Sequence, residues 1–358
     1  MKEQAAMKQS SPILIVTTRS VNPWNNLALE EYLMGWCKSD SDDDPQRRYD
    51  AILYLWQNQH TVVIGRNQNA WAECRTGALE EDGGYLARRS TGGGAVYHDL
   101  GNLNFSIILP RSRFDLGRSF DVILAAVRLL GIQAERSGRN DILIGDRKFS
   151  GNAFRYLRGV ALHHGTLMVD TDIEPLLRYL TVSDLKLQSR AIKSVRSRVI
   201  NLVQAKSDLT LAALSESVID SFVAEYGKNA GIERIDADMI PRDLELARLE
   251  ESYASREWRY GNAIDFDVSI ETGRFPWGQA ELLFKVEEGM ISQAMIYSDA
   301  LDSDFIGQIA ASLAGLAFDP QKIAGRVASL GKASDSVGEI SQQIMADDLA
   351  QVIHQRLF

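Results

Sequence analysis

The sequence predicts an α+β fold with a mixed or antiparallel sheet, divided into two domains. Its 358 residues are more than a single hydrophobic core usually fills. Predicted strands and helices do not alternate regularly along the chain, which argues against a doubly wound nucleotide-binding fold. With 45% hydrophobic and 24% charged residues, the composition is that of a globular protein and excludes a disordered or fibrous chain.

Most predicted strands precede Trp258. Each is a short apolar run bounded by polar or turn-forming residues. The predicted strands cover residues 12–16, 52–56, 61–64, 85–89, 95–97, 104–109, 141–144, 148–149 and 160–169. Apolar residues at helical spacing predict helices over residues 25–36, 120–130 and 209–226.

The texture of the sequence changes after Trp258. Residues 281–286 and 290–298 alternate apolar and polar side chains around a Glu-Glu-Gly turn, which predicts a hairpin. Two predicted helices follow, over residues 304–316 and 341–357. This tail lacks clustered glycine, histidine and arginine, so we predict domains over residues 1–255 and 260–358.

The charge is unevenly distributed. The net charge of −9 disfavours general nucleic-acid binding, because phosphate neutralisation needs a basic surface. Residues 88–200 nevertheless carry 18 basic and 10 acidic residues. This segment is either a cleft that attracts a small anion or a set of solvated basic faces. The first interpretation is favoured because the same segment contains every glycine-rich and histidine-rich motif.

Several compartments and site types are disfavoured. Two cysteines, Cys37 and Cys74, cannot form a disulfide framework or a four-thiolate zinc site. No apolar run has the length of a membrane span. The first eleven residues contain no apolar segment typical of a secretory signal. We therefore expect a reduced, cytoplasmic location.

The richest motif is RRSTGGGAVYHDLGNLN, residues 88–104. Its three glycines, Gly92 to Gly94, remove every Cβ from one turn, so that backbone N–H groups can converge on an anion. Arg88 and Arg89 precede the turn with guanidinium groups that suit phosphate or carboxylate. A tight turn between two strands would need the same glycines without any ligand. The spacing fits neither a Walker loop nor a dinucleotide fingerprint.

Three further motifs follow. SGRNDILIGDRKFSGNAF, residues 137–154, contains Lys148 as a point charge for an anion, Gly151 for close approach and Asp141 as a magnesium partner. A solvated surface hairpin is the alternative. LHHGTL, residues 162–167, places adjacent histidines on opposite faces of a strand and so does not predict a zinc site. SVRSRVINL, residues 194–202, places Arg196 and Arg198 on one face if it is extended, or forms a solvated loop.

Together, and in this order, these motifs resemble the signature blocks of the lipoate–protein ligase A family. NPWNNLALEE and TVVIGRNQNAWAEC near the start are similar to the same family, as are REWRYG and FPWGQAELLFKVEEGMISQAMIYSDAL in the tail. The resemblance covers nearly the whole chain. It implies a mixed-sheet catalytic domain of the lipoate/biotin ligase type, related to class II aminoacyl-tRNA synthetase cores, and a small α+β C-terminal domain.

The resemblance also implies a reaction. ATP and lipoate form lipoyl-AMP and pyrophosphate, and the lipoyl group then passes to a lysine of an acceptor protein. The implied acceptors are lipoyl domains of 2-oxoacid dehydrogenase complexes and the glycine-cleavage H protein. ATP and Mg²⁺ are the implied cofactors. We expect a monomer with no nucleic-acid or membrane partner.

Site residues are carried over by position in the matching motifs. Lys148 is the expected catalytic residue and contacts both lipoate and the nucleotide. The expected ATP-binding residues are Arg89, Gly94, Ala95, Val96, Tyr97 and Lys148. Those expected near lipoate or the adenylate are Ser90, Arg155 and His164. Asp141 is the expected Mg²⁺ partner, and Trp56, Val62 or Ile64 is expected beside an apolar slot for the lipoyl chain.

Two other functions remain open at this stage. An octanoyl or lipoyl transferase of the same fold needs no ATP and commonly uses a cysteine nucleophile, for which Cys37 and Cys74 are candidates. The second open function is a scaffold that binds lipoyl domains without catalysis. The intact Arg89, glycine turn and Lys148 argue against that scaffold. A biotin ligase would be expected to contain a Gly-Arg-Gly-Arg type segment, which is absent.

Overall fold

The computed structural model describes residues 10–40, 44–181, 198–228, 230–261, 265–331, 336–337 and 340–356. Arg196 of the fourth motif therefore lies outside the described residues. The fold is α+β, as the sequence predicts, with a mixed sheet in the first part of the chain and a separate sheet with helices in the C-terminal part. Within the described ranges, no helix is both long enough and apolar enough to span a membrane.

The described strands and helices are numbered here in chain order. The strands are β1 (Ser10–Thr17), β2 (Ala51–Trp56), β3 (Thr61–Ile64), β4 (Tyr85–Arg88), β5 (Val96–His98), β6 (Asn102–Pro110), β7 (Glu135–Ser137), β8 (Asp141–Ile144), β9 (Arg147–Leu157), β10 (Val160–Met168), β11 (Ala230–Asp236), β12 (Val268–Glu271), β13 (Ala280–Glu287), β14 (Met290–Ser298), β15 (Ser336–Val337) and β16 (Ile340–Ser341). The helices are α1 (Pro23–Met34), α2 (Ala70–Glu73), α3 (Thr76–Glu81), α4 (Leu116–Leu129), α5 (Ile173–Tyr179), α6 (Leu202–Ala205), α7 (Leu211–Tyr226), α8 (Leu244–Ala254), α9 (Arg256–Tyr260), α10 (Ser303–Leu313), α11 (Pro320–Leu330) and α12 (Gln342–Arg356).

An eight-stranded mixed sheet forms the centre of the first part, in the order β11-β1-β2-β6-β10-β9-β8-β7. Strand β1 runs parallel to both β2 and β11, whereas the pairs from β2 to β7 are antiparallel. Alternating side chains cover both faces, because successive residues of a strand point to opposite sides. Leu53 and Leu55 pack with α4 and α7 on one face, while Tyr54 and Trp56 pack with α1 and α8 on the other.

A smaller sheet, β4-β3-β5, lies against the α1 face of the main sheet. Strand β3 pairs in parallel with β4 and antiparallel with β5, so that Gly65 and the glycine turn after β4 meet at one end. Val63 and Ala87 pack against the main sheet in the same cluster as Trp56 and Leu162. The two sheets thus form two layers that pack against each other.

The C-terminal part has its own sheet and its own core. Strands β12, β13 and β14 form an antiparallel sheet, and the predicted hairpin corresponds to β13 and β14. A separate apolar cluster contains only residues from Ile270 to Ile353, with Phe284 and Phe305 fully buried. Helices α10, α11 and α12 cover this sheet. Its contact with the first part involves the loop between β14 and α10.

Candidate active site

A cavity of about 120 Å³ lies between the main sheet and the smaller sheet. The predicted site residues on its wall are Arg89, Gly94, Ala95, Val96, Lys148 and His164. Residues from three motifs that are far apart in sequence therefore meet at one cavity. The predicted residues that are not part of this wall are Ser90, Tyr97, Asp141 and Arg155.

Arg89 holds the glycine turn in place through hydrogen bonds to its main chain. Its Nη2 donates hydrogen bonds to the carbonyl oxygens of Gly92, at 2.6 Å, and Gly94, at 2.8 Å. Its Nε donates to the Gly92 carbonyl and to the Thr91 hydroxyl. The side chain is buried, and desolvation lowers the pKa of Arg89 to about 10. The guanidinium borders the cavity while most of its hydrogen bonds hold the turn in shape.

Arg88 has no part in the cavity. Its guanidinium donates hydrogen bonds to main-chain carbonyl groups of two segments. These are the loop after β3 (Gly65, Arg66 and Gln68) and helix α9 (Trp258 and Arg259). Burial lowers the pKa of Arg88 to about 10. The interpretation of Arg88 as an anion-binding residue is therefore wrong, because its donors are used to fasten the loop after β3 and helix α9 to β4.

The glycine turn also contacts the C-terminal part of the chain. A Cβ atom on Gly92 would lie 2.1 Å from the carbonyl oxygen of Ala300, which only glycine avoids. The N–H of Gly93, at a φ of 92°, donates to the same oxygen at 3.2 Å. Arg66 and Asp304 form a salt bridge of 2.9 Å beside it. At least one glycine of this turn is thus required for packing between the two parts of the chain.

Lys148 stands on the opposite wall, near the start of β9. Its Nζ lies 2.7 Å from Asp141 Oδ1 on the paired strand β8, and about a third of its side chain is exposed. The main chain of Lys148 bonds to Arg198 and Ile200, which tie the fourth motif to this strand. A Cβ atom on Gly151 would lie 2.8 Å from the ammonium nitrogen. Gly151 therefore leaves the space that the Lys148 side chain occupies.

His164 connects the glycine turn to helix α1. Its Nδ1 lies 2.8 Å from Glu30 Oε1 and its Nε2 lies 2.8 Å from Thr91 Oγ1. The Thr91 hydroxyl accepts from Arg89, so its own proton is available to Nε2 and the proton of the ring resides on Nδ1. Glu30 is buried and also accepts a hydrogen bond from Ser106. Glu30 is not among the predicted site residues; the available signal was an acidic residue in a helix with a mostly apolar pattern.

Three predicted residues have other surroundings. Arg155 lies 3.4 Å from Glu31 and 3.7 Å from Asp304, so it bridges the two parts of the chain. The Tyr97 hydroxyl contacts His60 Nδ1 at 2.9 Å, and its ring packs in the apolar cluster that contains Val62 and Ile64. Ser90 is buried. Their predicted binding roles remain predictions.

The apolar part of the wall includes Trp56, as expected, and Val63. Val62 and Ile64 were the expected residues of β3, but both pack in the cluster on the other side of the smaller sheet. Because side chains alternate along a strand, either Val63 or the pair Val62 and Ile64 can face the cavity, but not both.

Neither cysteine is placed to act as a nucleophile. Cys37 and Cys74 are buried, and neither lines the cavity. Burial raises the pKa of the Cys74 thiol to about 12 and that of Cys37 well above its usual range. Since the thiolate is the reactive form, a transferase that uses either cysteine is disfavoured.

Comparison with known proteins decides the family. The family described as "Lipoyl protein ligase A/B catalytic domain" matches residues 22–223, and "Bacterial lipoate protein ligase C-terminus" matches residues 264–353. A lipoate-protein ligase A of Psychrobacter cryohalolentis is 38% identical over 342 residues, which cover 94% of this chain and 96% of that protein. The chain belongs to the lipoate–protein ligase A family.

Solved structures agree with this membership. P. falciparum LipL1, crystallised in complex with lipoate, has a TM-score of 0.80 and 30% identity, and the match covers 96% of this chain and 100% of that one. A bipartite lipoate protein ligase of Thermoplasma acidophilum, described with its E2 lipoyl domain, has a TM-score of 0.60 and 27% identity over 72% of this chain and 100% of its own. A lipoate-protein ligase A bound with ATP has a TM-score of 0.55 and 27% identity over 70% of this chain and 99% of its own. The predicted lipoate-ligase fold is confirmed.

Proposed function

We propose that this chain is an ATP-dependent lipoate–protein ligase. In the first half-reaction, the lipoate carboxylate attacks the α-phosphate of ATP, which gives lipoyl-AMP and releases pyrophosphate. In the second, the amine of an acceptor lysine attacks the acyl carbon, which gives an amide and releases AMP. The observation that carries the proposal is the meeting of Lys148, the glycine turn and apolar Trp56 around one cavity in a lipoate–protein ligase A family fold.

Lys148 is the proposed catalytic residue. Negative charge develops on the α-phosphate oxygens during adenylation, and a positioned ammonium stabilises it. Gly94, Ala95 and Val96 line the same cavity, so we assign the nucleotide to their side of it, together with Arg89. The ATP-bound family member supports ATP as the co-substrate.

Mg²⁺ is proposed as the ion that accompanies ATP. Among the described residues, no group of three or more histidine, cysteine or acidic side chains could hold a metal alone. Mg²⁺ usually combines one or two carboxylates with substrate phosphates and water, so the single carboxylate of Asp141 fits an ion brought by the nucleotide. The ion would neutralise phosphate charge.

The proposed acceptors are lipoyl domains of 2-oxoacid dehydrogenase complexes and the glycine-cleavage H protein. The T. acidophilum relative, described with its E2 lipoyl domain, supports this class. The acceptor lysine must be neutral when it attacks, and the adenylate phosphate or a nearby base takes its proton. The basic segment of residues 88–200 predicts salt-sensitive binding of acidic acceptors.

The proposed division of labour places catalysis in residues 1–255 and an accessory role in residues 260–358. The separate apolar cluster of the C-terminal part supports this division. We propose that the protein acts as a monomer.

One assay tests the function directly. The protein is incubated with ATP, Mg²⁺, lipoate and an apo lipoyl domain, and intact mass shows whether the domain gains a lipoyl group. Omission of ATP is the control. A Cys37→Ser/Cys74→Ser double variant should retain ATP-dependent ligation. Acylation without ATP that disappears in this double variant would support a transferase instead.

A further inference from the structure

His98, at the end of β5, has an unused hydrogen-bond donor beside the cavity. The ring lines the cavity wall and is 3% exposed. Its Nε2 is buried and has no partner in the part of the chain that the structure describes. An unpaired buried polar group is costly, so a native protein usually provides it with a ligand or water.

A series of oriented amides determines which nitrogen of His98 carries the proton. The side-chain nitrogen of Asn26 donates to the main-chain carbonyls of Ser20 and Gln57 and to Asn58 Oδ1. The amide of Asn58 therefore points its oxygen towards Asn26 and its nitrogen towards His98 Nδ1, 3.1 Å away. Because Nδ1 accepts this bond, the neutral ring has its proton on Nε2.

The ring remains neutral under ordinary conditions. Burial, followed by the nearby positive charge of Arg89, lowers the pKa of His98 to about 3. His98 is consequently an N–H donor and not a cation. It therefore adds no positive charge that would favour a carboxylate or phosphate over a neutral acceptor.

His98 lies beside Trp56 in the cavity wall. Its ring packs edge-on against Trp56, with centroids 6.3 Å apart. Trp56 belongs to β2 and Lys148 to β9, and the order β2-β6-β10-β9 separates the backbones of these two strands by three strand spacings, roughly 14 Å. Asn104 on β6, the cross-strand neighbour of Trp56, has a second buried side-chain nitrogen without a partner among the described residues. The end of the cavity beside Trp56 is thus bordered by an unpaired donor, Nε2 of His98.

We propose that the Nε2–H of His98 determines the preference for a sulfur-containing acyl chain by donating a hydrogen bond to a dithiolane sulfur. This inference rests on the proposed function, which places the carboxylate end of lipoate at Lys148 and its ring at Trp56. Thioether-type sulfur is a weak acceptor and also packs well against aromatic rings. A saturated chain such as octanoate has no acceptor at this end and leaves the donor unpaired.

The test compares lipoate with 5-cyclopentylpentanoate, in which two methylene groups replace the two sulfur atoms. Exchange of labelled pyrophosphate into ATP gives kcat/KM for adenylation of each acid. The unaltered protein should prefer lipoate. His98→Phe keeps a flat ring without the donor, and should lower the ratio of the two kcat/KM values about five- to tenfold, as expected for a buried donor left unpaired. His98→Gln restores an N–H donor and should recover part of the ratio.

A matched control is His60→Phe. His60 lies directly before β3 of the smaller sheet, but it contacts Tyr97 and does not line the cavity. Its replacement should therefore leave the ratio of the two kcat/KM values unchanged. Equal losses for both acids in His98→Phe would show a structural role and overturn the inference. Equal kcat/KM values for the two acids on the unaltered protein would overturn it without any variant. Absence of exchange with every acid would instead overturn the proposed function.

Discussion

Two cations border the same cavity, and the protein uses them in opposite ways. Arg89 is 7% exposed, and its guanidinium donates to the backbone of the turn that follows it. The Lys148 side chain is 34% exposed and pairs with the carboxylate of Asp141. A buried guanidinium with several carbonyl partners fixes the shape of the turn at which the nucleotide is proposed to bind, whereas a partly exposed ammonium with one ionic partner can exchange that partner for a ligand.

This contrast predicts that loss of the Lys148 ammonium greatly lowers the activity and hardly changes the stability. Lys148→Ala should lower the rate of lipoyl-AMP formation by about 10²–10³-fold, the usual effect of removing one charge-stabilising donor. The Tm should change little, because a partly exposed ion pair contributes about 1 kcal/mol or less. Pyrophosphate exchange and thermal unfolding measure the two effects.

Lys206 provides a matched control for this variant. Its side chain is also 34% exposed and pairs with Asp208, outside the cavity. Lys206→Ala should therefore retain adenylation. Near-normal exchange in Lys148→Ala would refute the assigned role of the ammonium.

The second prediction concerns a buried guanidinium. Arg88→Met should lower the stability by about 3 kcal/mol, because it leaves several main-chain carbonyls without their donor. A loss of this size corresponds to a Tm lower by roughly 6–12 °C. Arg242→Met, which removes an exposed guanidinium paired with Glu250, is the control and should change the Tm by a degree or two. An unchanged Tm in Arg88→Met would contradict the structural role.

The smallest expected effect concerns the glycine turn. Gly92→Ala places a methyl group against the Ala300 carbonyl and should weaken docking of the C-terminal part by about 1–3 kcal/mol. Amide hydrogen exchange should become faster at Ser298, whose N–H donates to the Asn67 carbonyl across this contact. Gly94→Ala is the control, since its Cβ would meet no atom within 4 Å. Equal exchange rates at Ser298 in both variants would show that Gly92 does not govern docking.

The sequence predicts best those elements that are buried runs of apolar residues. Strands β2 and β3 follow the expected ranges within one residue, because residues 52–56 and 61–64 have few polar side chains. Strand β11 was missed because several of its residues are exposed and its sequence is mixed; only pairing with β1 makes it a strand. Helix α8 was missed for a similar reason, since Leu246 and Tyr253 are its buried residues.

The sequence predicts which residues belong to the site, but it does not predict the contacts between them. Lys148 and the glycine turn are recognisable from local sequence. The bond between Glu30 and His164 joins positions 134 residues apart, and no local pattern encodes it. Likewise, alternation along β3 allows either Val63 or its two neighbours to face the cavity, and the choice depends on packing between the sheets.

The order of strands has a consequence for synthesis of the protein. In the β1–β11 pair, Ser10 lies opposite Ala230, so the outer edge of β1 has no neighbour until that later segment has left the ribosome. At ordinary translation rates, about 5–20 residues per second, this delay is on the order of ten to forty seconds. An open strand edge can template self-association. The period of vulnerability to aggregation is therefore set by the elongation rate, and slower translation would lengthen it.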